Sequence, residues 1–521
     1  MAVVFLFPCF LLLLWFTLKH LLPGKSNGPS LPPSPPGLPF LGNLLQLSSL
    51  PHRSLHRLAL RYGPVMLIRM GQVPTLVVSS ADAAQELFRS NDLAVSTRPF
   101  SKAAFKLTFD ARNISFAPYG DHWRHSKKLA VVHLLSPKRV LSFRAVRDEE
   151  VQNMIDRICA AGAAGGGCQV RLSEILFDYA NGVVCHAAAG KETKQGRTAV
   201  TYRKMVADAS VLISGFQVDD MFPALAWFSA VTGVDAKLDR MRKRFDEFFT
   251  GILEEHRDRR ANRSDVVEHF VDILLSLDES GLEEIDIKAI TSVSNSPSPQ
   301  SRENTVLKLE SLALQDLIAA GTDTSFTTLE WAMAELMRNP TVMWKLQDEV
   351  RQVAGSKMKV EEKDLSQMHY LKAVMKEVLR LRIPAPMLLP RETTTSFSLR
   401  GYHIPAKARV FINAWAIARD PKTWEAPEEF RPERFLDSGV DFRGNDFQFL
   451  AFGAGRRMCP GINFAMATNE IALANLVHRF DWELPDGMNP ADLDMEEAPG
   501  LTTPKKVPLC LVATPWISGR H

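Results

Sequence analysis

The spacing of apolar and polar positions changes several times along the chain, and each change predicts an element. Met1 to Leu18 (MAVVFLFPCFLLLLWFTL) carries no charge, and about 18 apolar residues suffice for a helix to span a bilayer. Lys19, His20 and Lys25 follow this run instead of preceding it, and no small-x-small cleavage site is evident, which favours a retained anchor over a cleaved signal peptide. Residues 1–22 are therefore read as a membrane anchor, and positive charge on its far side puts the rest of the chain in the cytosol. Residues 23–43 form a basic, proline-rich spacer, in which five prolines between Leu31 and Asn43 hold the backbone extended. Gly63 to Ser80 alternates as a hairpin turning near Gly71. From Ala81 to about Arg380 the pattern is mostly helical, with Leu371, Val374, Met375 and Val378 on one stripe. Two loops interrupt it, Ala160 to Gly167 (AAGAAGGG) and Thr291 to Gln300 (TSVSNSPSPQ). Pro384, Pro386, Pro390 and Pro405 mark an irregular, short-stranded region. After Cys459 comes a last long helix with Leu473, Leu476, Val477 and Phe480 on one face. The fold class is mainly α with small peripheral β-sheets, and residues 44–521 make one large domain.

Composition narrows the function. Lys and Arg total 62 against 59 acidic residues, a net charge of +3, so no global field argues for nucleic acid. Six cysteines (Cys9, Cys159, Cys168, Cys185, Cys459, Cys510) lack CxxC or Cys/His spacing, which argues against a zinc site or a secreted disulfide framework. Asn113-Ile-Ser115 and Asn262-Arg-Ser264 match the glycosylation triplet, but a cytosolic domain does not meet the transferase.

One cysteine stands apart. Phe452 to Gly461 reads FGAGRRMCPG. Gly453 and Gly455 permit a tight turn that brings backbone against a flat cofactor, and Gly461 allows close approach beyond Cys459. Pro460 suits the first position of the following helix, so Cys459 lies at a helix N-terminus, where the dipole favours an anion. Arg456 and Arg457 add positive potential, and together these effects lower a thiol's pKa toward the thiolate that a metal requires. Arg457 can also pair with a cofactor carboxylate. The residues alone leave a buried structural cysteine in a glycine turn open as well. The segment matches all five fixed positions of the haem-binding signature Phe-x-x-Gly-x-Arg-x-Cys-x-Gly, with Phe452, Gly455, Arg457, Cys459 and Gly461. On these residues the chain resembles the cytochrome P-450 family. Ala451 stands where plant members carry proline, which loosens the turn without removing a ligand.

The resemblance extends from the proline spacer to Thr503 and is closest to the plant microsomal branch. It implies the cytochrome P-450 fold, haem b held by Cys459, and insertion of one atom of O2 into a small apolar substrate such as a terpenoid, indole or phenylpropanoid. Electrons then come from NADPH through a membrane-bound NADPH-cytochrome reductase, or from a cytochrome b-type donor. The implied location is the endoplasmic reticulum membrane, single-pass, with a cytosolic catalytic domain. Glu377 and Arg380 are i, i+3 neighbours that can pair; they resemble the family's Glu-x-x-Arg element, which with Arg434 implies a buried ion network beneath the haem. Ala319 to Ser325 is similar to the central-helix motif, making Asp323 and Thr324 a proton-relay pair. From the residues, a helix continuous from Leu314 to Arg338 leaves Gly321 needing a reason, because it costs about 1 kcal/mol relative to alanine. A helix opening assisted by Thr324 back-bonding supplies one. The competing reading starts the helix at a Thr327/Glu330 capping box and leaves Gly321 to Ser325 as loop. Trp123 and Lys127 stand where the family places Trp-x-x-x-Arg against a haem propionate, the lysine losing the bidentate fork. Arg391 is implied as another propionate partner. Arg124, Lys128, Lys138 and Arg139 are candidates for a local cationic docking face or for a merely solvated one. Apolar lining candidates are Ala103 to Phe116, Leu317 to Ala320, Ile383 to Leu389 and Leu501 to Thr503, with no buried charge pair for a charged substrate.

The chain departs from the pattern at 291–314. In relatives Ile285 to Ile290 leads almost directly into Gln315 to Ala320; here Thr291 to Leu314 intervenes. The Ser, Asn and Pro content of its first half cannot continue a helix, so it either loops out ahead of the central helix or is translated intron. Two further functions stay open at this level: a haem-thiolate isomerase or dehydratase without O2 activation, and a non-catalytic haem-binding product of the insertion.

Overall fold

Gly71, at φ 63°, turns the chain between β1 (Val65–Met70) and β2 (Val73–Val78), which pair antiparallel as expected. In the computed structural model this hairpin joins two strands from far along the chain, β3 (Arg391–Glu392) and β4 (Arg409–Ile412), in the order β1-β2-β4-β3. β2 and β4 run parallel, and the edge strand β3 sets Arg391 opposite Val410. The structure describes residues 30–163, 169–190, 217–225, 227–262, 269–279 and 299–516, with a few residues between 205 and 213. The expected anchor lies outside the described residues, among which no helix is long and apolar enough to cross a membrane.

The proline stretch is not a free spacer. The Pro33 carbonyl accepts the Leu67 N–H at 3.0 Å, Gly42 bridges to Met70, and the Asn43 amide donates to the Pro35 carbonyl at 3.1 Å. Proline lacks a donor but keeps its carbonyl, so the segment serves as a strap of acceptors along the first sheet.

The helices that frame the site are α1 (Asp121–Leu129), α2 (Leu172–Ala189), α3 (Val234–Asn262), α4 (Phe270–Glu279), α5 (Pro299–Arg338), α6 (His369–Leu381) and α7 (Ile462–Arg479). The predicted stripes of α6 and α7 are buried in one core with Leu176 of α2 and Trp331 and Leu336 of α5. Phe480, assigned to the α7 face, instead opens the strand Phe480–Glu483. The helix Arg144–Ala163 takes up the first residues of the AAGAAGGG tract, whose remainder lies outside the described residues.

α5 runs unbroken through Gly321 to Ser325, so the capping-box start at Thr327 is not used. The reason is burial: the Glu330 carboxylate accepts from Ser173 Oγ at 2.5 Å and from the Lys505 N–H at 2.9 Å, and is not free to cap. Gly321 gains a packing role at the crossing of α2 and α5, where an added Cβ would stand 3.1 Å from Val184 Cγ2. The insertion does not loop out over its whole length. From Pro299 onward its backbone is helical and continuous with α5, while 291–298 lie outside the described residues.

Candidate active site

Cys459 lies on the loop between the 3-10 turn Gly455–Arg457 and α7. Its N–H donates to the Phe452 carbonyl at 3.0 Å, closing the loop, and the Gly461 N–H points at Sγ from 3.4 Å. Phe452 packs against Phe442 with ring centroids 5.1 Å apart. α7 begins at Ile462 with Gly461 as its N-cap, so Pro460 precedes the helix instead of opening it. The expected depression of the thiol by both arginines is corrected by the geometry: burial pushes the Cys459 thiol up, opposed by the Gly461 N–H and by Lys127. Arg456 turns away to Asp92 at 2.7 Å, and Arg457 turns to backbone carbonyls. A coordinating metal, which deprotonates a thiol outright, is the remaining source of thiolate character. Gly455 has a steric reason: at φ 67°, an added Cβ would stand 2.3 Å from Asp92 Oδ1.

Beside this loop three arginines crowd into apolar surroundings. Arg457 donates to the carbonyls of Ser96 at 2.7 Å and Ile114 at 3.2 Å, and its guanidinium lies 4.1 Å from the Trp123 ring. Arg391, carried by β3, donates to the Ala454 carbonyl at 3.0 Å; its Nη1 has no hydrogen-bond acceptor and sits 3.7 Å from Asp92 Oδ1. Arg98 donates to the carbonyls of Ser115 at 2.9 Å, Leu389 at 2.9 Å and Pro390 at 2.8 Å. Sequence reasoning passed over Arg98, because no local motif marks it and only the fold brings it here. Burial pushes all three cations down, joined by neighbouring guanidinia at Arg457 and Arg98 and opposed by Asp92 at Arg391: Arg457 to about 9, Arg391 to about 10, and Arg98 well below the usual arginine range. Lys127 of α1 is lowered to about 8, first by burial and then by Arg457, and donates to the carbonyls of Arg456 and Met458. Trp123 Nε1 donates to the Ile114 carbonyl at 3.0 Å. Such a cluster is a receptor for anionic groups placed next to a soft sulfur ligand, which fits a porphyrin bearing two carboxylates.

On α5, Thr324 Oγ1 donates to the Ala320 carbonyl at 2.7 Å and Thr328 Oγ1 to the Thr324 carbonyl at 2.8 Å, with Asp323 half-buried beside them. The helix keeps its α form at this back-bond. Two turns earlier lies a residue that sequence reasoning missed. The half-buried Asp316 carboxylate accepts from Asn113 Nδ2 at 2.7 Å, the Ile114 N–H at 2.5 Å and Ser115 Oγ at 2.9 Å, yet desolvation still raises it to about 6. A half-buried carboxylate thus stands in a wall expected to be apolar. Asn113, with its amide turned inward to Asp316, is closed to a glycan in the folded chain. Two of the expected linings meet directly, the Thr503 N–H donating to the Pro384 carbonyl at 3.0 Å, and Gln315, just ahead of Leu317, donates through Nε2 to the Leu107 carbonyl at 3.0 Å.

Glu377, Arg380 and Arg434 come together, the first two fully buried and Arg434 partly exposed. Arg380 forks onto both Glu377 oxygens at 2.8 and 2.9 Å, and Arg434 Nε reaches Oε1 at 3.1 Å. The spare donors of Arg380 are met by the carbonyls of Ala418 at 2.8 Å and Pro427 at 2.7 Å. Of the candidate docking cations, Arg124 is taken up by Asp121, whereas Lys128 and Lys138 are exposed.

A family model described as Cytochrome P450 matches residues 32–511. The chain belongs to the cytochrome P450 family. It is 46% identical over 517 residues to "Strychnine-11-hydroxylase" of Strychnos nux-vomica, covering 99% of this chain and 96% of that one. It is 44% identical to "Cytochrome P450 736A117" of Prunus mume (98% and 95% covered) and 46% identical to "Cytochrome P450 71A1" of Persea americana (92% of each). Cytochromes P450 are haem-thiolate monooxygenases that use haem b, O2 and electrons from NADPH delivered by a reductase, and this chain is an oxidoreductase of that class.

Proposed function

We propose that this cytochrome P450 hydroxylates a small, largely apolar plant specialised metabolite, of terpenoid, indole or phenylpropanoid skeleton. The observation that carries the reading is the Cys459 sulfur flanked by buried cations that lack enough carboxylates of their own. Haem bound there supplies thiolate-assisted activation of O2. Trp123, Lys127, Arg391 and Arg457, joined by Arg98, hold the propionates, and Phe452 and Gly461 shape the loop around the ligand. Glu377, Arg380 and Arg434 keep that side of the core fixed. Asp323 and Thr324 hold and pass protons on the substrate side. Apolar walls from Ala103 to Phe116, Ile383 to Leu389 and Leu501 to Thr503 exclude water and orient the guest. A relative named for strychnine 11-hydroxylation makes a polycyclic alkaloid-sized guest reasonable. Residues 1–22 anchor the enzyme in the endoplasmic reticulum membrane, where a membrane-bound NADPH-cytochrome reductase, or a cytochrome b-type donor, docks on the Lys128 and Lys138 face.

The ferrous carbon monoxide difference spectrum of the recombinant full chain tests the first step, since a thiolate-type band is expected and its absence refutes the reading. A panel of apolar metabolites turned over with added reductase then tests the second. With a substrate in hand, Thr324→Ala should consume NADPH without matching product; unchanged coupling removes Thr324 from the relay.

A further inference from the structure

His256, on α3, and His269 and Asp272, at the start of α4, place their ligand atoms within 4.8 Å of one another, far from the cysteine motif in sequence. Asp272 and His256 are buried and His269 is only partly exposed. His256 Nε2 lies 2.8 Å from the Ala189 carbonyl at the end of α2. A carbonyl only accepts, so Nε2 carries the ring proton and, in the neutral ring, Nδ1 carries the lone pair. That lone pair faces Asp272 Oδ1 at 2.9 Å. Two acceptors held at this distance in the interior require a cation between them. His269 Nδ1 stands 3.0 Å from the other carboxylate oxygen, and Gly190 leaves room for its ring, since an added Cβ there would be 2.8 Å from Nε2.

We infer that His256, His269 and Asp272 form a zinc-binding site that ties the end of α2 to α3 and α4. Two imidazoles and a carboxylate are a ligand set that zinc accepts, with water in the fourth position on the more open side of His269. The His256 Nε2–H donating to a carbonyl is the outer partner that ligating histidines generally have, fixing tautomer and ring orientation. Neighbouring ligands on a tetrahedral ion with bonds of about 2 Å stand roughly 3.3 Å apart; the imidazole nitrogens lie 2.9 and 3.0 Å from the two Asp272 oxygens and all the ligand atoms fall within 4.8 Å of one another, so the side chains must rearrange around the ion to bind it. The competing occupant is a proton, with Asp272 also capping α4 through the His269 N–H at 2.9 Å.

The test uses full-length holoenzyme without a polyhistidine tag, stripped with a chelator and re-exposed to micromolar zinc. Elemental analysis after dialysis should give close to one zinc per chain, and the zinc K-edge spectrum should show two imidazoles in an N/O shell. His269→Ala should weaken zinc retention about tenfold or more while the carbon monoxide band persists. If His269→Ala fails to load haem, Asp272→Asn, which keeps an acceptor for the cap, serves in its place with the same expectation. A wild-type chain that retains no zinc, or that retains it no better than these variants, overturns the site and leaves a proton between His256 and Asp272.

Discussion

Asp316→Asn separates the charge of this residue from its shape. In the folded chain burial holds the carboxyl at about 6, against the 3.8 of an ordinary aspartate, in spite of the donors around it. An acid whose folded pKa is raised contributes stability that is fully present below its unfolded pKa and lost as pH rises through the folded one. Here the loss falls between pH 4 and 6. A rise of about two units corresponds to about 3 kcal/mol at 1.36 kcal/mol per unit. Asparagine with its oxygen in the Oδ1 place keeps the acceptor for Asn113 Nδ2 and Ser115 Oγ and turns its NH2 toward the Ile114 N–H, a cost that does not vary with pH, and it does not titrate in this range. The stability of Asp316→Asn relative to wild type should therefore improve by up to about 3 kcal/mol as pH is raised from about 4 to about 7. With an unfolding entropy of about 2.1 cal/mol/K per residue, a chain of this length shifts about 1 °C per kcal/mol, so the apparent Tm difference should change by about 3 °C. Soret-monitored melting at a fixed scan rate across that pH range reads it directly. Parallel pH profiles for the two proteins would refute both the raised carboxyl and the claim that ionised Asp316 is a burden on the fold.

Other positions make sharper statements about structure. Glu377→Gln leaves Arg380 and Arg434 buried without their shared carboxylate, which should cost about 3–5 kcal/mol and abolish the thiolate-type carbon monoxide band; a normal band at wild-type Tm removes the network from the fold's requirements. Gly321→Ala should be destabilised by about 1–3 kcal/mol of overpacking against Val184, outweighing the gain of about 1 kcal/mol in helix propensity. Adding Val184→Ala should recover part of the loss in thermal melts, and no recovery would relocate the reason for the glycine. Gly455→Ala forces a Cβ onto Asp92 and strains a positive φ, so haem content per chain should fall sharply; full haem loading would show that the loop yields.

The regular part of this fold was legible because periodicity survives burial. The stripe Leu371, Val374, Met375 and Val378 and the face Leu473, Leu476 and Val477 went where their spacing placed them. The hairpin turned at Gly71, where φ is positive. Contacts that need the whole fold were not legible. Arg98 and Asp316 carry no local signature; each is a single charged residue whose partners lie 17 residues or more away along the chain. The Glu330 case shows a local rule losing to tertiary context, since a sound capping box gave way when its carboxylate found Ser173 and the Lys505 N–H. His256, His269 and Asp272 were not legible for another reason: their spacing matches no ligand motif, and a pair of histidines on consecutive helices resembles ordinary core residues.

Asp316 also decides what the departure at 291–314 can affect. The segment 291–314 supplies the first turns of α5 from Pro299 and ends at Leu314, next to Gln315, which holds the Leu107 carbonyl, and to Asp316, which holds Asn113, Ile114 and Ser115. A shift of α5 at this end acts first on that wall. It reaches the arginine cluster only indirectly, through the carbonyls of Ile114 and Ser115 that serve Arg457 and Arg98. The Cys459 loop and the Glu377 network are built from residues 369–479 and draw on other contacts: Asp92 under Gly455, and the carbonyls of Ala418 and Pro427 around Arg380. Haem loading and substrate geometry are therefore supported by separable parts of the structure. A change confined to this end of α5 can leave the Cys459 loop intact and still alter how a substrate is held, so the carbon monoxide spectrum alone does not measure competence; product per NADPH does.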